Sequence, residues 1–191
     1  DKTLVENSDI IDAYVQDGMN MIRTTTRIEA AYDSLLVFEA VSENQALKEK
    51  LLRQINQNND LQPWFFTNTS SVPIGGLNKN SGLEGRILGF HFYNPPAVQK
   101  LVELITIPEN PSKMLEFAQT YAANLRKTVV PSNDIAGFIG NGHFMRDALF
   151  GIAEAARLAA RMPFHEAIYC MDRVTRDFLS RPMGIFQPID Y

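Results

Sequence analysis

His91 and Glu103 are the two side chains of this sequence best suited to acid–base chemistry. His91 lies on or just after the apolar strand pattern Ile87 to Tyr93, which Asn94-Pro95-Pro96 breaks off. Glu103 lies on the next strand pattern, Leu101 to Ile107. Residues near the ends of neighbouring strands meet in space although they are distant in sequence. A carboxylate that holds one imidazole nitrogen fixes the tautomer and leaves the other nitrogen free as a base. It also stabilises the imidazolium once the proton arrives. Such a base suits the oxidation of a secondary alcohol, where a proton leaves the oxygen as hydride leaves the carbon. By residue type alone, a histidine beside aromatics also fits a core or surface position, and a strand Glu also fits a solvated face.

Three further polar residues could complete a site. Ser70 follows the strand pattern Trp64-Phe65-Phe66-Thr67, where the carboxyl end of a sheet faces ligand. Asn94 precedes two prolines, and Asn141 stands in GFIGN near a helix start. Each also reads as a turn or cap residue. His143 and His165 have no carboxylate or Cys partner at a metal-binding spacing, so no metal is assigned.

The elements that must carry these residues alternate up to about residue 131. A helical stripe over residues 8–22 has Ser8 or Asp9 as its N-cap. Leu35-Leu36-Val37-Phe38 reads as a buried strand. Residues 43–57 read as a helix with Ala46, Leu47, Leu51 and Ile55 inside. Gly75, Gly76, Asn78, Asn80, Ser81 and Gly82 read as a loop. A helix follows from Ser112 to about residue 125, then a short strand at Thr128-Val129-Val130. From Phe138 to about Leu179 the pattern is helical. This order implies an α/β unit over residues 1–133 and a separate helical domain over residues 134–191.

Composition narrows the class. The chain has 191 residues, 45% hydrophobic, which is enough for a sizeable core. The net charge of -4 and the mixing of signs argue against nucleic-acid binding. No apolar run is long enough to span a bilayer as a helix, and the first residues do not form a signal peptide. Cys170 is the single cysteine, so no intrachain disulfide forms, which fits a reducing compartment. The sequence opens with Asp rather than Met and reads as an N-terminally truncated or partial chain. It contains no G-x-G-x-x-G turn. If its sheet is of the Rossmann type, the first βαβ unit, which needs roughly 30 residues, is missing.

The stretches LLVFEAVSEN, TNTSSVPI, GFHFYNPPAVQKLVELI, KTVV, GFIGN and RPMGIFQPIDY together resemble the 3-hydroxyacyl-CoA dehydrogenase family, in the family's order. The resemblance implies a partial Rossmann-type NAD-binding domain followed by an all-helical domain that mediates homodimerisation. It implies NAD as cofactor and an acyl-CoA substrate, oxidised from the 3-hydroxy to the 3-keto form in fatty-acid metabolism. It implies His91 as general base, Glu103 as its orienting partner, and Ser70 and Asn141 as catalytic companions. Glu43, Lys48, Ser70 and Asn94 match family positions near the cofactor. The expected location is the cytoplasm, or the mitochondrial matrix in a eukaryote. Gly142 departs from the family, which usually has Arg there. A non-catalytic module of the same fold, which binds acyl-CoA or self-associates, is the alternative. A dehydrogenase of hydroxy acids not carried on coenzyme A is a third reading.

Overall fold

Short runs of aromatic and branched residues build a five-stranded sheet in which neighbours in sequence are neighbours in space. In the computed structural model, which describes residues 7–190, the strands are β1 (Leu36–Glu39), β2 (Trp64–Thr67), β3 (Ile87–Phe92), β4 (Leu101–Ile105) and β5 (Thr128–Ser132). Most of the N-terminal stretch read above as lacking a signal peptide, and Tyr191, lie outside the described residues. β1, β2 and β3 are parallel, β4 turns back antiparallel to β3, and β5 runs parallel to β4. The helices are α1 (Ser8–Asn20), α2 (Gln45–Asn58), α3 (Ile74–Ser81), α4 (Ser112–Asn124), α5 (Gly140–Leu158) and α6 (Phe164–Phe178). The expected α/β class holds.

Side-chain alternation along the strands splits the core into two layers. Phe65, Ile87 and Ile105 face α2 and α3, meeting Leu52, Ile55, Ile74 and Leu77. Phe66, Leu88, Phe90, Val102 and Leu104 face α4, meeting Met114, Ala118 and Ala122. Phe66 and Phe90 stack there at 5.3 Å between ring centroids. Each such fully buried side chain stabilises the fold by about 1.5–3 kcal/mol. β3 is covered on both faces, which is why its sequence is an unbroken apolar run until His91. Gly89 is required within it, because a Cβ there would lie 2.8 Å from Ile105 Cδ1 and 2.9 Å from Ile105 Cβ.

Four expectations need correction. The Gly- and Asn-rich segment after β2 is not a loop but helix α3. Its intrinsic propensity is poor, and its cap is not local. The Asp134 carboxylate, sixty residues away, accepts hydrogen bonds from the Ile74 amide at 2.6 Å and the Gly75 amide at 2.8 Å. Burial of Ile74 and Leu77 holds the rest, and Gly82 closes the helix in the left-handed region at φ 66°. β1 is an edge strand rather than a buried one, so Leu35 is 71% and Phe38 42% exposed. α2 is rotated by one position from the expected face, and Lys48, Leu52 and Ile55 point inward. The cap of α1 is Asn7, whose side chain accepts from the amides of Asp9 and Ile10. The helical pattern expected from Phe138 to about Leu179 holds, as two helices separated ahead of Pro163.

Candidate active site

The turn back from β3 to β4 sets His91 and Glu103 directly opposite each other in the antiparallel register. Opposed residues of such a pair share one face of the sheet. Here that face carries the layer of Ile87 and Ile105. His91 Nδ1 lies 2.7 Å from Glu103 Oε2, with Glu103 1% and His91 7% exposed. A carboxylate at that position makes Nδ1 the protonated nitrogen, so Nε2 carries the lone pair. The imidazole packs between the rings of Tyr93, at 5.2 Å, and Phe138, at 6.1 Å. Phe138 holds its place with φ 48°, a left-handed conformation rarely adopted by a bulky residue.

The other oxygen of Glu103 works on a different element. Oε1 accepts hydrogen bonds from the amides of Ile139, at 3.0 Å, and Gly140, at 2.9 Å. It therefore caps α5, which has no side-chain cap of its own. Burial by itself pushes the Glu103 carboxyl up. The bond to His91, the Gly140 amide, Tyr93 and the imidazole charge outweigh burial and hold it below the usual carboxylate range.

A second carboxylate organises the turn after β2. Glu43 Oε1 accepts from Thr69 Oγ1 at 2.6 Å, from the Ser70 and Ser71 amides at 3.0 Å each, and from Ser71 Oγ at 2.9 Å. Burial opposes ionisation there. The hydroxyls of Thr69 and Ser71, the Lys48 charge and the Ser70 amide overcome it and lower the Glu43 pKa to about 2. The same turn is tied across to the other strands and helices. Asn68 Oδ1 accepts from the Phe92 amide at 2.9 Å, and Asn141 Nδ2 donates to the Ser70 carbonyl at 3.3 Å. One run of contacts thus joins Glu43, Ser70, Asn141, Gly140, Glu103 and His91. An imidazole whose Nδ1 faces a buried carboxylate stands at one end of this run, with Asn141 and Ser70 further along it.

Comparison with known proteins decides what this constellation belongs to. Residues 2–135 match the family model for the 3-hydroxyacyl-CoA dehydrogenase, NAD binding domain. The chain belongs to the 3-hydroxyacyl-CoA dehydrogenase family. The mitochondrial hydroxyacyl-coenzyme A dehydrogenase of Sus scrofa is 31% identical over all of the chain, which spans 59% of that relative's length. A probable 3-hydroxybutyryl-CoA dehydrogenase of Deinococcus radiodurans is 34% identical over 64% of the chain and 44% of the relative. The crystal structure of (S)-3-hydroxybutyryl-CoA dehydrogenase from Ralstonia eutropha shares the fold, with a TM-score of 0.77 and 23% identity over 96% of this chain and 63% of that one.

The remaining dehydrogenase-family positions fall in different places. Lys48 is buried at 1% exposure, and its ammonium is engaged within the protein. It donates to Glu39 Oε1 at 2.9 Å, Glu39 Oε2 at 3.2 Å and the Val41 carbonyl at 3.1 Å, and lies 3.3 Å from Glu43 Oε2. Asn94 is exposed on the segment after β3. Gly142 donates its amide to the Gly137 carbonyl at 2.7 Å in the turn that opens α5.

Sequence reasoning missed Glu39, Thr67, Asp134 and Tyr93. Glu39 ends the apolar run of β1, is buried, and also accepts from Thr67 Oγ1 at 2.6 Å. An acidic residue closing an apolar strand, with Lys nine positions later, was the available signal.

Proposed function

We propose that this chain carries the proton-transfer site for NAD-dependent interconversion of 3-hydroxyacyl-CoA and 3-ketoacyl-CoA. The observation that carries the reading is the buried His91–Glu103 pair at 2.7 Å in a member of this family. His91 Nε2 accepts the proton of the substrate hydroxyl, and Glu103 stabilises the imidazolium that results. In the reverse direction the imidazolium returns that proton to the forming alkoxide. Asn141, anchored on the Ser70 carbonyl, and the Ser70 hydroxyl orient the substrate oxygen toward Nε2. NAD, when bound, supplies the hydride acceptor.

Fit to that cofactor is partial. The carboxyl ends of parallel strands are where such folds bind dinucleotides. There β1, β2 and β3 gather Glu43, Ser70 and Asn94, which are at least partly open to solvent. These three fit the nicotinamide–ribose end. The glycine-rich cradle for a pyrophosphate is not in this sequence. Lys48 acts on this rim indirectly, by holding Glu43 and Glu39 in place.

The helical segment supports self-association. Met145, Leu149 and Phe150 on α5 and Phe164, Tyr169 and Phe178 on α6 are all more than half exposed. Large clustered apolar surface of this kind marks an interaction face. A homodimer through α5 and α6, with residues 134–191 as its own domain, is the proposed arrangement. Among the described residues, no helix is long and apolar enough to cross a membrane. Cytoplasm or mitochondrial matrix is the proposed location.

The test is calorimetry of the chain with acetoacetyl-CoA and with NAD, together with NADH consumption in a longer protein that contains this segment. Changing His91→Ala there should lower turnover by about 10²–10⁴ while substrate still binds. Normal turnover in that variant removes His91 from the reaction.

A further inference from the structure

Tyr93 stands just past the end of β3, and its phenol packs beside His91 and against the start of α5. Its ring centroid is 5.2 Å from that of His91, at an interplanar angle of 47°. The phenol is seated on the first residue of α5. A Cβ on Gly140 would fall 2.8 Å from Tyr93 Cε1 and 3.0 Å from Cζ, with the hydroxyl oxygen nearer still. Gly140 is the residue whose amide donates to Glu103 Oε1 at 2.9 Å. The absence of a side chain at position 140 is therefore what lets the phenol sit beside the residue whose amide binds this carboxylate.

We propose that Tyr93 is a positioning residue of the site, whose hydroxyl donates to Glu103 beside His91 and so sets how strongly the imidazole holds its proton. The inference rests on the reading of His91 as the base. Burial pushes the Tyr93 hydroxyl up, and the Glu103 bond and charge push it further, to about 12. The phenol therefore remains an O–H donor throughout neutral pH. A donor on a carboxylate withdraws charge from it and weakens its grip on an imidazolium. The groups facing His91 are Glu103 from β4, Tyr93 from the end of β3, and the uncharged Phe138 ring ahead of α5. With the phenol as a further donor, Glu103 is shared among an imidazole, a phenol and two amides. Without the phenol the imidazolium would be held more tightly, and return of the proton to a substrate oxygen would be less favourable.

Titration of the His91 ring by NMR in this chain, with and without Tyr93→Phe, tests the inference without turnover. Removal of the hydroxyl should raise the proton affinity of the coupled His91–Glu103 pair about three- to tenfold, roughly half to one pH unit. Gly140→Ala, which pushes the phenol off Glu103, should move the titration in the same direction, and the two changes together should not add. In a Glu103→Gln background Tyr93→Phe should move nothing. An unchanged or lowered midpoint in Tyr93→Phe overturns the proposal, as does an equal shift in the Glu103→Gln background. An upward shift with no turnover in the longer protein would instead leave Tyr93 in place and count against the proposed reaction.

Discussion

Replacing Glu103 by Gln asks one side chain to do what only a carboxylate can. Besides the phenol proposed above, three donors converge on Glu103: His91 Nδ1–H on Oε2, and the Ile139 and Gly140 amides on Oε1. A Gln offers one acceptor oxygen and one NH2. If the oxygen stays on His91, the NH2 faces two amide donors inside a residue that is 1% exposed. Leaving those donors unpaired costs about 1–3 kcal/mol for each such group. If the oxygen turns to the amides, the NH2 donates to His91 Nδ1, and the ring need only move its proton to Nε2. Imidazole tautomers differ little in energy, so the second arrangement wins. Glu103→Gln should therefore remain folded, losing about 1–2 kcal/mol as a charge-assisted bond becomes neutral. His91 should then carry its proton on Nε2, and turnover in a longer protein should fall by about 10²–10⁴ for want of a base. Long-range proton–nitrogen correlation on labelled chain reads the tautomer directly, and urea unfolding reads the stability. A variant that keeps Nε2 unprotonated at unchanged stability would refute the three-donor account of Glu103.

Other perturbations follow from the same geometry. Lys48→Met strands the Glu39 carboxylate, which is 6% exposed, and should cost about 3–5 kcal/mol in urea unfolding. Adding Glu39→Gln should return most of that loss, and a single variant as stable as the parent would contradict the buried pair. Glu43, lowered from 4.5 to about 2 on folding, contributes stability that is fully present above pH 4.5 and lost as pH falls toward 2. Its side chain is 37% exposed, so solvent screening reduces the formal gain to about 1 kcal/mol. Glu43→Gln should flatten the stability profile across that window, and an unaltered slope would exclude this carboxyl as its source. Asp134→Ala removes the remote cap of α3 and should cost about 1–2 kcal/mol. Hydrogen exchange should speed up at the amides of α3, and unchanged protection there would show that the cap is dispensable.

The strands were legible because β2, β3 and β4 are apolar runs buried from both sides, and runs of that kind have few other homes. The His91–Glu103 pair was legible as types and separation, while its facing register depended on the antiparallel return of β4, which periodicity does not encode. α3 was illegible for a definite reason. Its residues favour a loop, and what makes them helical is a carboxylate sixty residues away. The inward face of α2 was misplaced because Lys48 looks solvent-bound by type. A buried lysine is readable only together with Glu39 and Val41, which fold over it. Tyr93 stood within the quoted segment throughout, yet its role depends on Gly140, on the far side of β4 and β5.

The two remote caps also bear on the order in which this chain folds. Asp134 reaches back sixty residues to α3, and Glu103 reaches forward 36 residues to α5. Both bonds close large loops through the single segment 133–140, and loop closure must precede any stabilisation they give. α3 is a poor helix until that segment arrives, so it cannot seed the structure. The sheet with α2 and α4 is the expected nucleus, and variants in α3 should speed unfolding while leaving the folding rate nearly untouched. His91 and Glu103 face each other within that nucleus, so a partly folded chain already holds the imidazole, and the later docking of this segment adds the two amide donors on Oε1.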